Sequence, residues 1–285
     1  MGYGLEARMA LRRHDFHFSH KLGQNFLLDE QVLSQIVDAA QVKSGDCILE
    51  IGPGSGTMTA EMASRGAEVL ALELDKGLEP VLRDVLTPWS ERVSLVFGDA
   101  MKVDLPALLK ERFGGRPVSV VANLPYYITT DVVLRLLECG ARLEKIVVMV
   151  QMEAAQRMMA KPGEKNYCAL AAMVQFYGVP EKLLELEPGL FTPPPHVMSW
   201  LMEIRRFDER PVQVQSEEMM KKVISASFLM RRKTLLNNLC AAFSLEREQA
   251  ARLISEAGLK EGVRGEALSL EEMGRLADQL MKTRC

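Results

Sequence analysis

The sequence predicts an α/β protein: a parallel, doubly wound sheet followed by a small all-helical domain. Three observations predict it. Short apolar runs alternate with helical patterns between residues 47 and 160, as strands joined by crossover helices do. The first run meets a glycine-rich turn, Gly52-Pro53-Gly54-Ser55-Gly56, of the kind that lets a ligand approach the backbone. Neither glycine nor proline interrupts residues 212–257, where apolar residues recur at helical spacing (Met219, Val223, Ala226; Leu235, Leu239, Ala242).

In chain order, residues 1–20 read as an irregular, mobile basic arm, with Arg12, Arg13 and Lys21 contributing its charge. His14, His17 and His20 recur at three-residue spacing there, but a metal site is the weaker reading and none is expected. Asp29 caps a helix whose Val32, Leu33, Ile36, Val37 and Ala40 share one face. Cys47–Ile51 is a strand, Thr57–Arg65 a helix, and Val69–Leu74 a second strand that brings Glu73 and Asp75 to its end. Val93–Phe97 is a third strand, closed by Gly98-Asp99. A helix over Leu105–Arg112 leads to the strand Val118–Ala122, which runs into Asn123-Leu124-Pro125-Tyr126. Further on come a helix (Asp131–Cys139), a strand (Lys145–Val150) and a helix (Glu153–Ala160). Ala169–Tyr177 and Met198–Ile204 read as two last strands, an antiparallel pair joined by a proline-rich segment. Composition changes near Arg210-Pro211, so the expected domains are 1–207 and 208–285, with a final helix over Leu270–Met281. A single continuous helix there would align Lys221-Lys222 with Arg232-Lys233, three turns on, in one basic stripe.

The totals exclude several classes. A net charge of −3 supplies no global basic field, so nucleic-acid contact requires local basic patches. Cys47, Cys139, Cys168, Cys240 and Cys285 are scattered, with no Cys-x-x-Cys pair. That argues against a disulfide framework or a zinc site and fits a reducing cytosol. No signal peptide and no uncharged apolar run of membrane-spanning length are visible.

Two stretches carry chemistry. The glycine turn suits either a dinucleotide or S-adenosylmethionine, and an acid ending the second strand would bind ribose hydroxyls in both cases. Gly52, Gly54 and Gly56 do not have the spacing that seats a pyrophosphate on a helix N-terminus. Glu50, within the strand, suits a cationic ligand, and Asp99 could accept from an adenine amine. At Asn123-Leu124-Pro125-Tyr126, a side-chain oxygen and a backbone carbonyl can accept both protons of an exocyclic amine while an aromatic ring stacks on its base. The plain alternative is a strand-ending turn with a packed tyrosine.

Together with other motifs, these stretches resemble a known family. Gly23-Gln24-Asn25-Phe26-Leu27, Glu50-Ile51-Gly52-Pro53-Gly54-x-Gly56, Glu73-Leu74-Asp75, Gly98-Asp99-Ala100 and Asn123-Leu124-Pro125-Tyr126-Tyr127 come first. Met149-Val150-Gln151-x-Glu153, Phe191-x-Pro193-x-Pro195-x-Val197-x-Ser199 and Phe228-x-x-Arg231-Arg232-Lys233-Thr234-Leu235 follow in order. From about Lys21 to Leu280 the chain resembles the small-subunit ribosomal RNA adenine dimethyltransferases, which methylate two adjacent adenosines near the 3′ end of that RNA.

The resemblance implies a Rossmann-like methyltransferase domain, S-adenosyl-L-methionine as cofactor, and a helical RNA-binding domain. Asn25, Leu27, Gly52, Gly54, Glu73, Asp99 and Asn123 would contact the cofactor, and Asn123, Leu124 and Tyr126 would act on the adenine amine. Phe191 would cover the base's other face, and Arg231, Arg232 and Lys233 would bind RNA. The implied partner is small-subunit ribosomal RNA or an assembling 30S particle, met by a cytoplasmic monomer with no metal and no membrane attachment. Leu236, Cys168 and Arg264-Gly265-Glu266 depart from the family pattern, all outside the cofactor and amine motifs. Two alternatives remain: a large-subunit rRNA adenine methyltransferase of the macrolide-resistance type, and a non-catalytic ribosome-assembly factor.

Overall fold

A computed structural model of the chain describes residues 2–19 and 22–283; His20, Lys21 and Cys285 lie outside the described residues. Two compact units result, Met1–Ala155 with Pro180–Arg206, and Gln156–Val179 with Phe207–Cys285.

The first unit is built on a seven-stranded sheet. Its strands are β2 (Cys47–Ile51), β3 (Glu68–Glu73), β4 (Val93–Phe97), β5 (Val118–Asn123), β6 (Leu143–Gln151), β7 (Gly178–Leu186) and β9 (Ser199–Arg206). Their order is β4-β3-β2-β5-β6-β9-β7. The pairs β4–β3, β3–β2, β2–β5 and β5–β6 are parallel, and β9 runs antiparallel to β6. A separate antiparallel pair joins β1 (Phe26–Leu27) to β8 (Phe191–Thr192). Every residue of β2 is buried, as a central strand covered on both faces must be, and this is why it reads as an unbroken apolar run. Helix α2 (Glu30–Ala39) precedes the sheet; the crossover helices are α3 (Thr57–Ser64), α4 (Glu79–Leu86), α5 (Leu105–Phe113) and α6 (Thr129–Glu138), and α7 (Met152–Met159) follows β6. Asp29 caps α2 by accepting from the Gln31 and Val32 amides.

Three expectations are corrected. Residues 3–13 form a helix, α1 (Tyr3–Arg13), with Ala7, Ala10 and Leu11 buried. Tyr3 donates to Glu61 at 2.6 Å and the Gly4 amide to Glu30 at 2.8 Å. The buried face is mostly small alanines among arginines, so its apolar signal is weak although its packing is real.

Ala169–Tyr177 is a helix, α8, and not a strand; the strand β7 begins at the next residue. Seven of the nine helical residues are buried, which erases the polar face that betrays a helix. Three alanines with Leu170, Met173 and Gln175 decide for helix. Pro180 is tolerated because β7 is an edge strand of the sheet.

The condition for a basic stripe, one continuous helix through Arg231, is not met. In the second unit α9 (Glu217–Ser227) and α10 (Leu235–Phe243) are separate, so the single basic stripe does not form. The breaker is Asn238, 1 % exposed. Its amide nitrogen donates to the Ser227 carbonyl at 2.9 Å, and its oxygen accepts from the Met230 amide at 3.0 Å. A Cβ on Gly265 would stand 2.0 Å from the Ser227 oxygen, so glycine is required where that loop crosses the end of α9. The edge-to-face pair Tyr167–Phe228 and the Arg231 bond to the Lys165 carbonyl tie residues 156–179 into this unit. Helices α11 (Arg247–Glu256) and α12 (Leu270–Lys282) complete it, the latter opened by a Ser269–Glu272 capping box.

Candidate active site

The carboxyl ends of β2, β3, β4 and β5 frame a cavity of about 1000 Å³ counted to its open mouth, at the edge where parallel sheets bind ligands. Its floor is the glycine turn. Gly52 and Gly54 have φ of +71° and +57°, which disfavours any side chain. At Gly54 an added Cβ would also lie 2.8 Å from the Phe26 ring.

Three carboxylates face this cavity. Glu73 is buried; its oxygens accept from the Gly54 amide at 3.2 Å and the Asp75 amide at 2.8 Å. Burial pushes its pKa up, and those backbone hydrogen bonds pull it back. Asp99 is held below its ordinary value, first by the Met101 amide at 2.9 Å and further by Lys102 at 3.3 Å. Glu50 is wholly buried, and burial pushes its pKa up to about 8, opposed by a 2.5 Å bond from the Thr59 hydroxyl to Oε2. Its Oε1 has no partner among the described residues.

On the far wall, Asn123 ends β5. Its Nδ2 donates to the Asn25 carbonyl at 2.7 Å, which commits the amide nitrogen and leaves Oδ1 as an acceptor. The Asn123 amide is thus aimed by the Gly23–Leu27 segment. A Cβ on Gly23 would touch Pro125 and Tyr127 at 3.4 Å, so the two motifs are packed together. Gln24 accepts from the Ser19 amide at 2.7 Å and donates to Asp75 at 2.8 Å. Tyr126 bonds the buried Ser199 hydroxyl at 2.6 Å, and burial raises its pKa. Tyr127 is 57 % exposed.

Thus Asn25, Leu27, Gly52, Gly54, Glu73, Asp99, Asn123, Leu124 and Tyr126 all line one cavity. Phe191 does not: it is 3 % exposed, pairs with Leu27 across β1–β8, and packs in the apolar core. Its strand, hidden by the neighbouring prolines, turns the ring inward. Arg231, Arg232 and Lys233 are exposed in the turn between α9 and α10. His14 bonds Asp84 at 2.8 Å; among the described residues no cluster of His, Cys, Asp and Glu could hold a metal. Sequence reasoning missed Gln24, Thr59 and Ser199 as supports of the site. Gln24 and Ser199 sat inside quoted motifs; Thr59 carried no signal.

The donor set fits S-adenosylmethionine. A partnerless buried carboxylate oxygen suits its cationic end, the Glu73 carboxylate its ribose hydroxyls, and Asp99 its adenine amine.

The family model for ribosomal RNA adenine dimethylase matches residues 15–282. A protein of Lachnoclostridium phytofermentans called ribosomal RNA small subunit methyltransferase A is 43 % identical over 271 residues, covering 94 % of this chain and 93 % of that one. The Clostridioides difficile protein of the same name is 41 % identical over 268 residues, covering 94 % and 92 %. Among solved structures, the 23S rRNA methyltransferase ErmE superposes with a TM-score of 0.66 at 25 % identity, over 90 % of this chain and all of that one. A Plasmodium falciparum dimethyladenosine transferase superposes at 0.72 and 22 % identity, over 91 % and 97 %, and shares the fold. Cavity, family model and near-full-length relatives agree: the chain belongs to the ribosomal RNA adenine dimethylase family and is an S-adenosylmethionine-dependent methyltransferase.

Proposed function

We propose that this enzyme dimethylates N6 of two adjacent adenosines near the 3′ end of small-subunit ribosomal RNA, as a step in small-subunit biogenesis. The observation that carries the chemistry is the Asn123 amide, held by the Asn25 carbonyl at 2.7 Å with Oδ1 left to accept. The names of the relatives favour the small subunit as target.

The adenine amine is a poor nucleophile because its lone pair is delocalised into the ring. Asn123 Oδ1 and the Leu124 carbonyl accept its two protons, favour a pyramidal nitrogen and stabilise the positive charge that grows on it during attack. Bound S-adenosylmethionine supplies a methyl group already activated by the sulfonium, so no strong base is needed. Glu73 would hold the ribose and Asp99 the adenine of the cofactor, in a cavity lined also by Asn25, Leu27, Gly52 and Gly54. Tyr126, its hydroxyl anchored on Ser199, stacks on a target base that has left its own stack. Orientation of the adenine amine by Asn123, Leu124 and Tyr126 would supply much of the remaining acceleration.

The 208–285 region serves as the RNA-binding domain, and Arg231, Arg232 and Lys233 contact RNA phosphates. The enzyme works in the cytoplasm as a monomer without a metal; among the described residues no helix is long and apolar enough to cross a membrane.

The test is transfer of labelled methyl to unmethylated small subunits and, in parallel, to unmethylated large-subunit RNA, followed by nucleoside analysis. N6,N6-dimethyladenosine in the small subunit, lowered at least a hundredfold by Asn123→Ala, is the expected result. Label confined to large-subunit RNA would assign the enzyme to the resistance type. No transfer to either, with cofactor bound, would leave the assembly-factor reading.

A further inference from the structure

Glu50 is the unusual group of the cavity. It sits in the central strand β2, wholly buried, and one of its oxygens has no partner among the described residues. The groups around it come from three elements. Strand β3 contributes Glu73, whose charge acts on it unfavourably; α3 contributes the Thr59 hydroxyl; β5 ends in the uncharged Asn123. Among the described residues no basic side chain acts on Glu50. A buried carboxylate beside another carboxylate, with one neutral donor, resists ionisation. It becomes a stable anion when a cation arrives at its remaining oxygen. The glycine turn leaves room for one: α3 starts immediately after Gly56, and Thr59, itself wholly buried, reaches back from the first turn of that helix to Oε2.

We propose that cofactor capture here is coupled to release of a proton from Glu50, with Thr59 as the positioning residue that holds the carboxylate's Oε1 ready for the ammonium group of the cofactor's methionine end. This deepens the cofactor placement given above and rests on it. The balance is simple. A protonated Glu50 and an ammonium ligand become a carboxylate–ammonium pair, and one proton passes to solvent. Because burial holds the Glu50 pKa at about 8, the folded, cofactor-free protein carries that proton at neutral pH. Cofactor affinity therefore rises with pH below 8, approaching tenfold per pH unit. Above 8 it falls again as the ligand's own α-amino group loses its proton.

The test is titration calorimetry of the full-length protein with S-adenosylmethionine at pH 7, in buffers of different ionisation enthalpy. Wild type is expected to release close to one proton per cofactor bound, and Glu50→Gln none. Thr59→Val should raise Kd about tenfold or more, since it removes a hydrogen bond to a charged group. That loss should be greatest at pH 6.5 and shrink as pH rises, whereas a merely structural defect would weaken binding equally at every pH. Thr59→Ser, which keeps the hydroxyl, should restore binding. Cofactor binding by wild type without proton release overturns the inference and leaves the cofactor site standing. No binding heat in any buffer overturns the cofactor site and the inference with it. Thr59→Val binding like wild type at pH 6.5 removes Thr59 from the role.

Discussion

Glu73 and Asp99 end neighbouring strands and face one cavity, yet they sit in opposite electrostatic surroundings. β3 lies inside the sheet, and its Glu73 is buried, pushed toward its neutral form and held by two backbone amides. β4 is one of the sheet's two edge strands, and Asp99, just beyond its end, is partly exposed beside Lys102 and held in the ionised form. The cavity thus has a dry side, shared by Glu73 and Glu50, and a wet side at Asp99. The position of a strand in the sheet, and not the identity of the acid at its end, decides whether the carboxylate is a resting anion or one that needs a ligand. On the dry side each lost interaction leaves a buried group unpaired; on the wet side water replaces it.

The largest effect expected from this difference is at Glu73. Replacement by Ala removes the ribose acceptor and leaves the buried Gly54 amide without its partner. Two hydrogen bonds to a charged group, at about 1.5–3 kcal/mol each, put the loss of cofactor affinity at about a hundredfold or more. Equilibrium binding of S-adenosylmethionine measures it. An effect under about fivefold would mean that Glu73 does not hold the ribose and that the dry side is only a structural feature.

The two sides were unequally legible in the sequence. Strand-end acids announce themselves, because a central strand must be apolar and a carboxylate at its end has nowhere to hide. Glu73 was found this way, and Asp99 and Asn123 as polar residues closing apolar strands. Their ionisation was not legible, since it depends on which strand lies at the edge. Thr59 was invisible for a related reason: a threonine in the first turn of a helix is ordinary until its hydroxyl is seen on Glu50. The failures elsewhere share this logic. The helix Ala169–Tyr177 is buried on nearly all sides, so periodicity could not separate it from a strand. The break between α9 and α10 contains no glycine or proline, because Asn238 makes the turn from eight residues beyond Met230. Phe191 was expected to cover the far face of the target base, and the β1–β8 pairing buries it instead.

A second experiment separates the dry side from the wet one by stability alone. Below the ordinary carboxylate value Glu50 is neutral in both folded and unfolded chains. Between that value, 4.5, and about 8, the unfolded chain has lost the proton and the folded one keeps it. The folded state then binds more protons, so stability falls as pH rises through the window, by about 1.4 kcal/mol per unit at most. Glu50→Gln removes this penalty. Without cofactor, the variant should be more stable than wild type by a few kcal/mol at pH 7, the advantage growing from pH 5 to pH 8 and then levelling. Denaturant unfolding at several pH values checks it, and a constant difference across the range would show that Glu50 does not titrate in the folded protein.

The smallest effect belongs to Asp99→Asn. The Met101 amide and Lys102 keep Asp99 ionised, so the sign is reversed: its contribution to stability is present above the ordinary carboxylate value and is lost as pH falls below it. Nothing changes between pH 6 and pH 8, and partial exposure with screening keeps the stability effect minor. The variant should therefore have the pH profile of wild type across that range. Its asparagine oxygen still accepts from an adenine amine, so cofactor affinity should fall by about tenfold or less, the difference between a charged and a neutral acceptor. A hundredfold loss, or one that varies between pH 6 and pH 8, would place Asp99 with Glu50 and Glu73 on the dry side and erase the distinction between centre and edge of the sheet.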